Sequence, residues 1–150
     1  MKRHILFFII GVVCLMMSAC DMHHSDNGAL DGFWQMTLVD TIGGRSADMR
    51  QSRVFWCIQG DMLQMRRMDG VLFEQNQGIV AFRFELNGNT LTVSEPVVCD
   101  RMISDSILTD IKTVNPYGVN NLKEAVQVLR LDGSSMTLES SKLRLYFRKY

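Results

Sequence analysis

The sequence has no excess of charge of either sign. Its 150 residues include 16 basic and 16 acidic side chains, so the formal net charge at pH 7 is zero. Proteins that bind nucleic acid, or that adsorb to anionic lipid surfaces, rely on a basic excess that this chain does not have. We therefore expect no nucleic acid among its partners.

Motifs that carry enzymatic chemistry are also missing. There is no Gly-x-Ser-x-Gly turn, no His-Glu-x-x-His, no Cys-x-x-Cys pair and no glycine-rich phosphate loop. The three histidines, His4, His23 and His24, all precede the part of the chain that has strand periodicity. That part therefore has no imidazole to act as a general base. These absences predict a non-enzymatic protein that uses neither a cofactor nor a bound metal.

The one long apolar run lies next to the N-terminus and is too short to cross a membrane. Lys2 and Arg3 precede an uncharged stretch, residues 5–17, whereas a spanning helix needs roughly 18–20 apolar residues. Such an arrangement is typical of a secretory signal peptide. It ends in Met17-Ser18-Ala19-Cys20, which resembles the lipobox of bacterial lipoproteins, where lipid is attached to the cysteine. An ordinary signal peptidase site is the alternative, but that site needs a small residue at the position of Met17.

These features divide the chain into three parts. We expect residues 1–19 to be a lipoprotein signal peptide, residues 20–30 a polar tether lipidated at Cys20, and residues 31–150 a single domain. Acylation with two or more chains anchors a protein stably in a bilayer. The expected location is therefore the cell envelope, with the lipid in the outer membrane and the exposed face, periplasmic or external, left open.

The domain shows the period-two alternation of strands, punctuated by turn dipeptides such as Gly60-Asp61, Asp69-Gly70 and Asn87-Gly88. Pro96 is expected to end the fifth strand. Eight antiparallel strands in meander order predict an all-β barrel, and a two-sheet sandwich is the alternative. The predicted strands are residues 30–39, 52–58, 62–68, 80–86, 90–94, 126–131, 136–139 and 143–147.

Residues 99–125 interrupt this meander. Ile103, Ile107, Leu108 and Ile111 recur at helical spacing. We expect a short helical excursion before the last three strands that covers one end of the barrel. Long connections of this kind often carry binding groups.

Both termini of the domain resemble a known family. Leu30-Asp31-Gly32-Phe33-Trp34 places a Gly-x-Trp on the first strand, as in lipocalins, and residues 117–121 and 136–150 are similar to the lipocalin-like lipoproteins of Bacteroidota. The resemblance covers most of residues 30–150 and implies a calycin-like barrel. It also implies that Trp34 packs at the closed end, with Arg144 or Arg148 lying over its ring.

The aromatic residues predict where a ligand binds. Trp34, Trp56, Phe82 and Phe84 occupy inward positions of the predicted strands, so a barrel with room inside would offer a small apolar ligand an aromatic lining. The alternative is that the same side chains fill the barrel completely. The protein would then serve as a protein-interaction or accessory subunit of an envelope complex.

The cysteines leave one question of covalent structure. Cys14 is removed with the signal peptide and Cys20 is acylated, so Cys57 and Cys99 remain. An oxidising compartment permits a disulfide between them. Two strands intervene between their positions, however, so the alternative is a pair of free, buried thiols that pack as small apolar groups.

Overall fold

The computed structural model describes residues 25–68, 79–99 and 104–150. Short 3-10 helices lie at Gly28–Leu30, Arg50–Ser52, Ile111–Thr113 and Asn115–Tyr117. None of the helices in these ranges is both long and apolar enough to cross a membrane. The strands are β1 (Gly32–Thr41), β2 (Ser46–Asp48), β3 (Val54–Gln59), β4 (Met62–Arg67), β5 (Ile79–Asn87), β6 (Thr90–Cys99), β7 (Ser106–Ile107), β8 (Glu124–Leu131), β9 (Ser135–Glu139) and β10 (Leu143–Lys149).

Eight of these strands close into an antiparallel barrel. They are hydrogen-bonded in the order β1, β3, β4, β5, β6, β8, β9, β10, and β10 pairs back onto β1 from Trp34 opposite Lys149 to Thr41 opposite Leu143. Each strand of the ring is paired with a neighbour on both sides, which rules out the sandwich alternative. The predicted eight-strand barrel is confirmed. The short strands β2 and β7 extend the pairing along β1 and β6, beyond the residues that β3 and β8 cover.

Alternation along the strands decides which side chains fill the interior. In β9, for example, Met136 and Leu138 are fully buried while their neighbours are half-exposed. The inward residues of the barrel form one hydrophobic cluster. Each fully buried large apolar side chain contributes roughly 1.5–3 kcal/mol, so this shared core is the main stabilising element.

The barrel has two ends, which we name by where the described chain begins. The near end carries the start of the chain (25–31), the turns at 60–61, 88–89 and 132–134, and the C-terminal Tyr150. The far end carries the connection 42–53, Met68 and the turn at 140–142. Strand pairing fixes this assignment, because Gly32 lies opposite Ile58, Thr90 opposite Gln127 and Arg148 opposite Ser135. The predicted turn at Asp69-Gly70 lies outside the described residues.

Residues 25–30, which the sequence assigns to the tether, pack against the near end. The Asn27 side chain donates hydrogen bonds to the Gly60 carbonyl at 2.6 Å and to Asp31 at 2.8 Å. The Leu30 side chain is fully buried in the barrel core. The chain is therefore fixed to the barrel from Asn27 onward.

Pro96 does not end the fifth barrel strand, contrary to the prediction. Strand β6 continues to Cys99, and its pairing with β5 shifts between Ala81–Val97 and Arg83–Ser94. Glu95 and Pro96 thus both lie opposite Phe82, which makes a β-bulge, with Glu95 in a left-handed conformation (φ 53°). A bulge tolerates proline because the ladder hydrogen bond is already interrupted there.

The excursion before the last three strands is helical only in its 3-10 turns. The predicted helix over 103–111 is wrong in its described part, because Ser106–Ile107 forms strand β7; Ile103 lies outside the described residues. β8 pairs with β6 only from Thr90 to Val93, which leaves the rest of that edge open. β7 fills it opposite Val97 and Val98 and so supplies hydrogen bonds that the helix would leave unmade.

Candidate functional site

The four aromatic residues predicted to line a ligand site all lie inside the barrel. Trp34 faces Trp56 across β1 and β3, and the Trp56 ring lies 5.0 Å from that of Phe147. Trp34, Trp56 and Phe82 are essentially fully buried, and Phe84 is 7% exposed. The structure therefore brings all four into one core cluster, in contact with other side chains of the barrel.

Trp34 closes the near end of the interior. Its indole N–H donates to the Leu30 carbonyl at 2.8 Å, and the Lys149 ammonium lies 4.9 Å from its ring centroid. Lys149 also donates to the Ala29 carbonyl at 3.2 Å. A cation over a tryptophan face contributes about 1 kcal/mol in such settings.

Gly32 makes this arrangement sterically feasible. Its φ is +142°, a conformation that side chains rarely adopt, and a Cβ at this position would collide with the Lys149 Cε. The Gly-x-Trp sequence thus has a physical reason in this chain. The glycine gives the lysine side chain room to cross the strand and reach the ring two residues on.

The predicted partners of Trp34, Arg144 and Arg148, are wrong. Both point out of the barrel: Arg144 pairs with Glu139, and Arg148 donates two hydrogen bonds to the Gln35 side chain at 2.7 and 2.9 Å. The inward positions of β10 are Leu145, Phe147 and Lys149. Alternate residues of a strand face the same side, so Lys149, two residues after the buried Phe147, is expected to face inward.

The far end of the interior is occupied by the connection between β7 and β8, residues 108–123, which we call the inserted segment. Its apolar side chains Leu108, Val114, Tyr117 and Val119 are buried in the barrel cluster. The prediction that this excursion covers one end of the barrel is confirmed. The segment also reaches inward, past the rim.

Contacts of the inserted segment show how deep it lies. The Trp56 indole N–H donates to the Tyr117 carbonyl at 3.0 Å. A Cβ on Gly118 would lie 2.9 Å from the side chain of Leu145 and 3.2 Å from that of Met36, both inward residues, and its φ is +85°. Only glycine fits this place, because the backbone itself packs against the interior. No local sequence pattern indicates that Gly118 packs this closely against the interior.

The inserted segment is organised mainly by its own turns. The amides of Val114, Tyr117 and Gly118 donate to carbonyls three residues earlier, at 2.9–3.0 Å. At its C-terminal end, the buried Glu124 carboxylate accepts a hydrogen bond from the backbone N–H of Asn120 at 2.7 Å. Local turns therefore satisfy much of the segment's backbone, and its apolar side chains pack in the barrel core.

The disulfide that the sequence left open between Cys57 and Cys99 is not formed, and the free-thiol alternative holds. Both are free thiols, on β3 and β6, with β4 and β5 between them. Strands lie about 4.8 Å apart, so this separation far exceeds the roughly 7 Å between Cα atoms that a disulfide spans. Burial raises the pKa of both thiols above the ordinary value, and at Cys99 the charge of Asp105 raises it further.

Two surface pockets are lined by described residues. One, of about 430 Å³, lies at the near end beside Asn27, Asp61 and Phe84. The other, of about 490 Å³, lies on the outer wall between Arg83, Glu95 and Ile107. Both linings combine charged side chains, such as Asp61 and Arg83, with apolar ones, such as Phe84 and Ile107. Within the described ranges, no three His, Cys, Asp or Glu side chains are grouped to hold a metal ion.

A closed eight-strand antiparallel barrel, with a first-strand tryptophan capped by a basic side chain, defines a lipocalin-like barrel protein. The family model of the lipocalin-like domain matches residues 15–150, so the chain belongs to that family. Such a barrel is compatible with binding a small ligand.

Two solved structures have the same fold. A lipocalin-like protein from Bacteroides uniformis is 21% identical, with a TM-score of 0.58, and the match covers 82% of this chain and 100% of that one. An uncharacterized protein from Bacteroides eggerthii is 14% identical, with a TM-score of 0.58, and the match covers 80% and 98%. A search of curated proteins finds no match.

Proposed function

We propose that this protein is a lipid-anchored, non-enzymatic component of the cell envelope, whose barrel binds a small apolar ligand in place of the inserted segment. One observation carries the proposal. Side chains from outside the barrel strands, those of Val114, Tyr117 and Val119, complete the interior cluster. The barrel strands by themselves therefore leave apolar room at the far end.

That room has the lining that an apolar ligand requires. Met36 and Leu145 face Gly118, and Trp56 adds an indole whose N–H now bonds the Tyr117 carbonyl. A ligand that takes this place gains the same apolar contacts, and a polar head group can accept from the same indole. Because the segment competes for the space, the measured affinity equals the intrinsic affinity multiplied by the fraction of molecules in which the space is open.

A second candidate function is favoured by the packing of the four interior aromatic residues. They are already buried against one another and against the rest of the core. If the inserted segment never leaves, the barrel is a filled scaffold, and its function is to present its surface to a protein partner in the envelope.

Ligand titration separates the two candidates. We expect purified protein to bind cis-parinaric acid, a fluorescent fatty acid, saturably. Tyr117→Ala should bind it at least about tenfold more tightly, because roughly 1.5–3 kcal/mol of competing apolar burial is removed. Lys112→Ala, an exposed change in the same segment, is the matched control and should bind like the wild type.

Absence of saturable binding to both wild type and Tyr117→Ala would reject the ligand proposal and favour the packed scaffold. Organic extraction of the purified protein followed by mass spectrometry provides an independent check, because a carrier isolated from cells should retain an apolar molecule.

The anchor is tested separately from the barrel. Metabolic labelling with a palmitate analogue should mark the wild type and leave Cys20→Ser unmarked, and the variant should be released from the membrane fraction. Outer-membrane location is checked by fractionation, and protease treatment of intact cells distinguishes the periplasmic from the external face. An unlabelled wild type would contradict lipidation.

A further inference from the structure

We infer that the anchor holds the barrel with its near end toward the lipid bilayer and its far end, where the inserted segment fills the mouth, away from it. The inference rests on the proposed lipidation of Cys20. It follows from where the folded chain begins, from the number of residues between that point and the anchor, and from the length of the barrel.

The folded chain begins at the rim of the near end. Asn27 is tied to the Gly60 carbonyl in the turn between β3 and β4, and its side chain also donates to Ser25 at 2.7 Å. The burial of Leu30 and the hydrogen bond from Trp34 to its carbonyl fix the next residues. The anchored end of the chain therefore leaves the barrel at this rim.

Very little chain separates that rim from the proposed anchor. Five residue steps lead from Cys20 to Ser25, and a fully extended chain covers at most about 18 Å in five steps. The ten residues of β1 extend about 33 Å, which corresponds to about 25 Å along the axis at the usual strand tilt. The tether cannot pass alongside the whole barrel, so the far end cannot face the bilayer from which the protein hangs.

Charge works against this orientation, and distance decides the outcome. The near end carries the carboxylates of Asp26 and Asp31, and those of Asp61 and Asp132 paired with Arg83 and Arg130, whereas the far end carries Arg45, Arg53 and Lys142 in its connections. An anionic bilayer attracts each nearby basic side chain by about 1 kcal/mol, but only within a Debye length of about 8–10 Å. An upright barrel holds the far end beyond that range, so only a barrel lying on its side would gain the attraction.

Two turns at opposite ends of β9 allow a direct measurement. Gly133 lies in the near-end turn, where an added Cβ meets nothing within 4 Å, and Ser141 lies exposed in the far-end turn. In a background with Cys57 and Cys99 replaced by alanine, Gly133→Cys and Ser141→Cys each carry one fluorophore. The lipidated full-length protein is placed in phosphatidylcholine vesicles that contain a headgroup-nitroxide lipid.

We expect quenching at position 133 to be at least about threefold stronger than at position 141, because the turns lie about 26 Å apart along the strand. Equal quenching, as in a barrel lying on its side, or stronger quenching at 141 would overturn the orientation. Failure of the protein to float with the vesicles would instead overturn the anchor, so the two failures are distinguishable.

A longer tether tests the cause. Twenty glycine and serine residues inserted between His24 and Ser25 give a flexible chain with a typical span of about 25 Å, comparable to the barrel itself. The ratio of quenching at 133 to that at 141 should then fall toward one. An unchanged ratio would show that tether length does not set the orientation, and would overturn the inference.

Discussion

Gly32 and Lys149 act as a pair at the near end. The glycine has a φ of +142° and lies where a methyl group would strike the lysine side chain that covers Trp34. The two residues should therefore be energetically coupled, as contacting residues generally are.

Gly32→Ala should lower the free energy of unfolding by about 2 kcal/mol through backbone strain and steric conflict. Lys149→Ala should lower it by about 1 kcal/mol through loss of the cation–π contact. In the double variant the methyl group no longer meets the lysine, so the loss should be smaller than the sum by about 1 kcal/mol. Urea unfolding measures all three, and additive losses would show that the residues do not interact as described.

Gly133 supplies the control for this cycle. It has no positive φ, and nothing lies within 4 Å of an added Cβ. Gly133→Ala should therefore change the free energy of unfolding by less than about 0.5 kcal/mol.

Cys57 and Cys99 should behave as slow, unpaired thiols. The thiolate is the reactive form, and burial raises the pKa of both groups above the ordinary thiol value, so little thiolate is present at neutral pH. We expect reaction with an aromatic disulfide reagent to be slow at pH 7. The rate should rise only at a higher pH than the rate for an exposed cysteine, because the thiolate forms at higher pH. In a Cys20→Ser protein without its signal peptide, denaturation should release both thiols without a reductant. Thiols that appear only after reduction would contradict the geometry.

Each tryptophan in the barrel interior ties a different element to the strands. The indole of Trp34 donates to the Leu30 carbonyl in the first 3-10 helix, and that of Trp56 donates to the Tyr117 carbonyl in the inserted segment. The two side chains are equally buried, which makes them matched controls for each other.

Trp56→Phe should loosen the inserted segment. A net hydrogen bond contributes about 1 kcal/mol, so the amides of Val114, Tyr117 and Gly118 should exchange about fivefold faster with solvent deuterium. Trp34→Phe should leave them unchanged and speed exchange at Leu30 instead. Equal acceleration of both regions in both variants would indicate general destabilisation and contradict the specific tie.

The sequence was sufficient for the strands because two local signals agreed. Period-two alternation located the barrel strands, and dipeptides such as Asn87-Gly88 located the turns, so the order of pairing followed. Strand parity places Lys149 inward, but the family resemblance implied an arginine over Trp34, so the lysine was not predicted. β7 was not predicted because the spacing of Ile107 and Ile111 fits a helix as well as a short strand followed by a turn. The unpaired edge of β6 that β7 covers exists only in the assembled sheet.

Depth inside the barrel could not be predicted for the inserted segment. Its buried residues, Val114, Tyr117 and Val119, show no clean periodicity, since their positions are set by 3-10 turns and by Gly118 packing against Leu145 and Met36. The aromatic residues were predicted correctly as inward, but whether they line a space or fill it depends on this segment. That is a tertiary property that no local pattern reports.

The molecule as a whole has opposite ends with different roles. The near end is sealed by Trp34 and Lys149 and receives the chain from the proposed anchor. The far end is filled by a segment that contributes side chains to the core without belonging to the barrel wall. We propose that an apolar ligand takes the place of this segment.

Hydrogen exchange of the inserted segment during ligand binding tests that claim most directly. With saturating cis-parinaric acid, the amides of Val114, Tyr117 and Gly118, which are protected by turn hydrogen bonds in the free protein, should exchange faster, while those of β9 should remain as protected as before. Saturable binding with unchanged exchange in residues 108–123, or no binding at all, would contradict it.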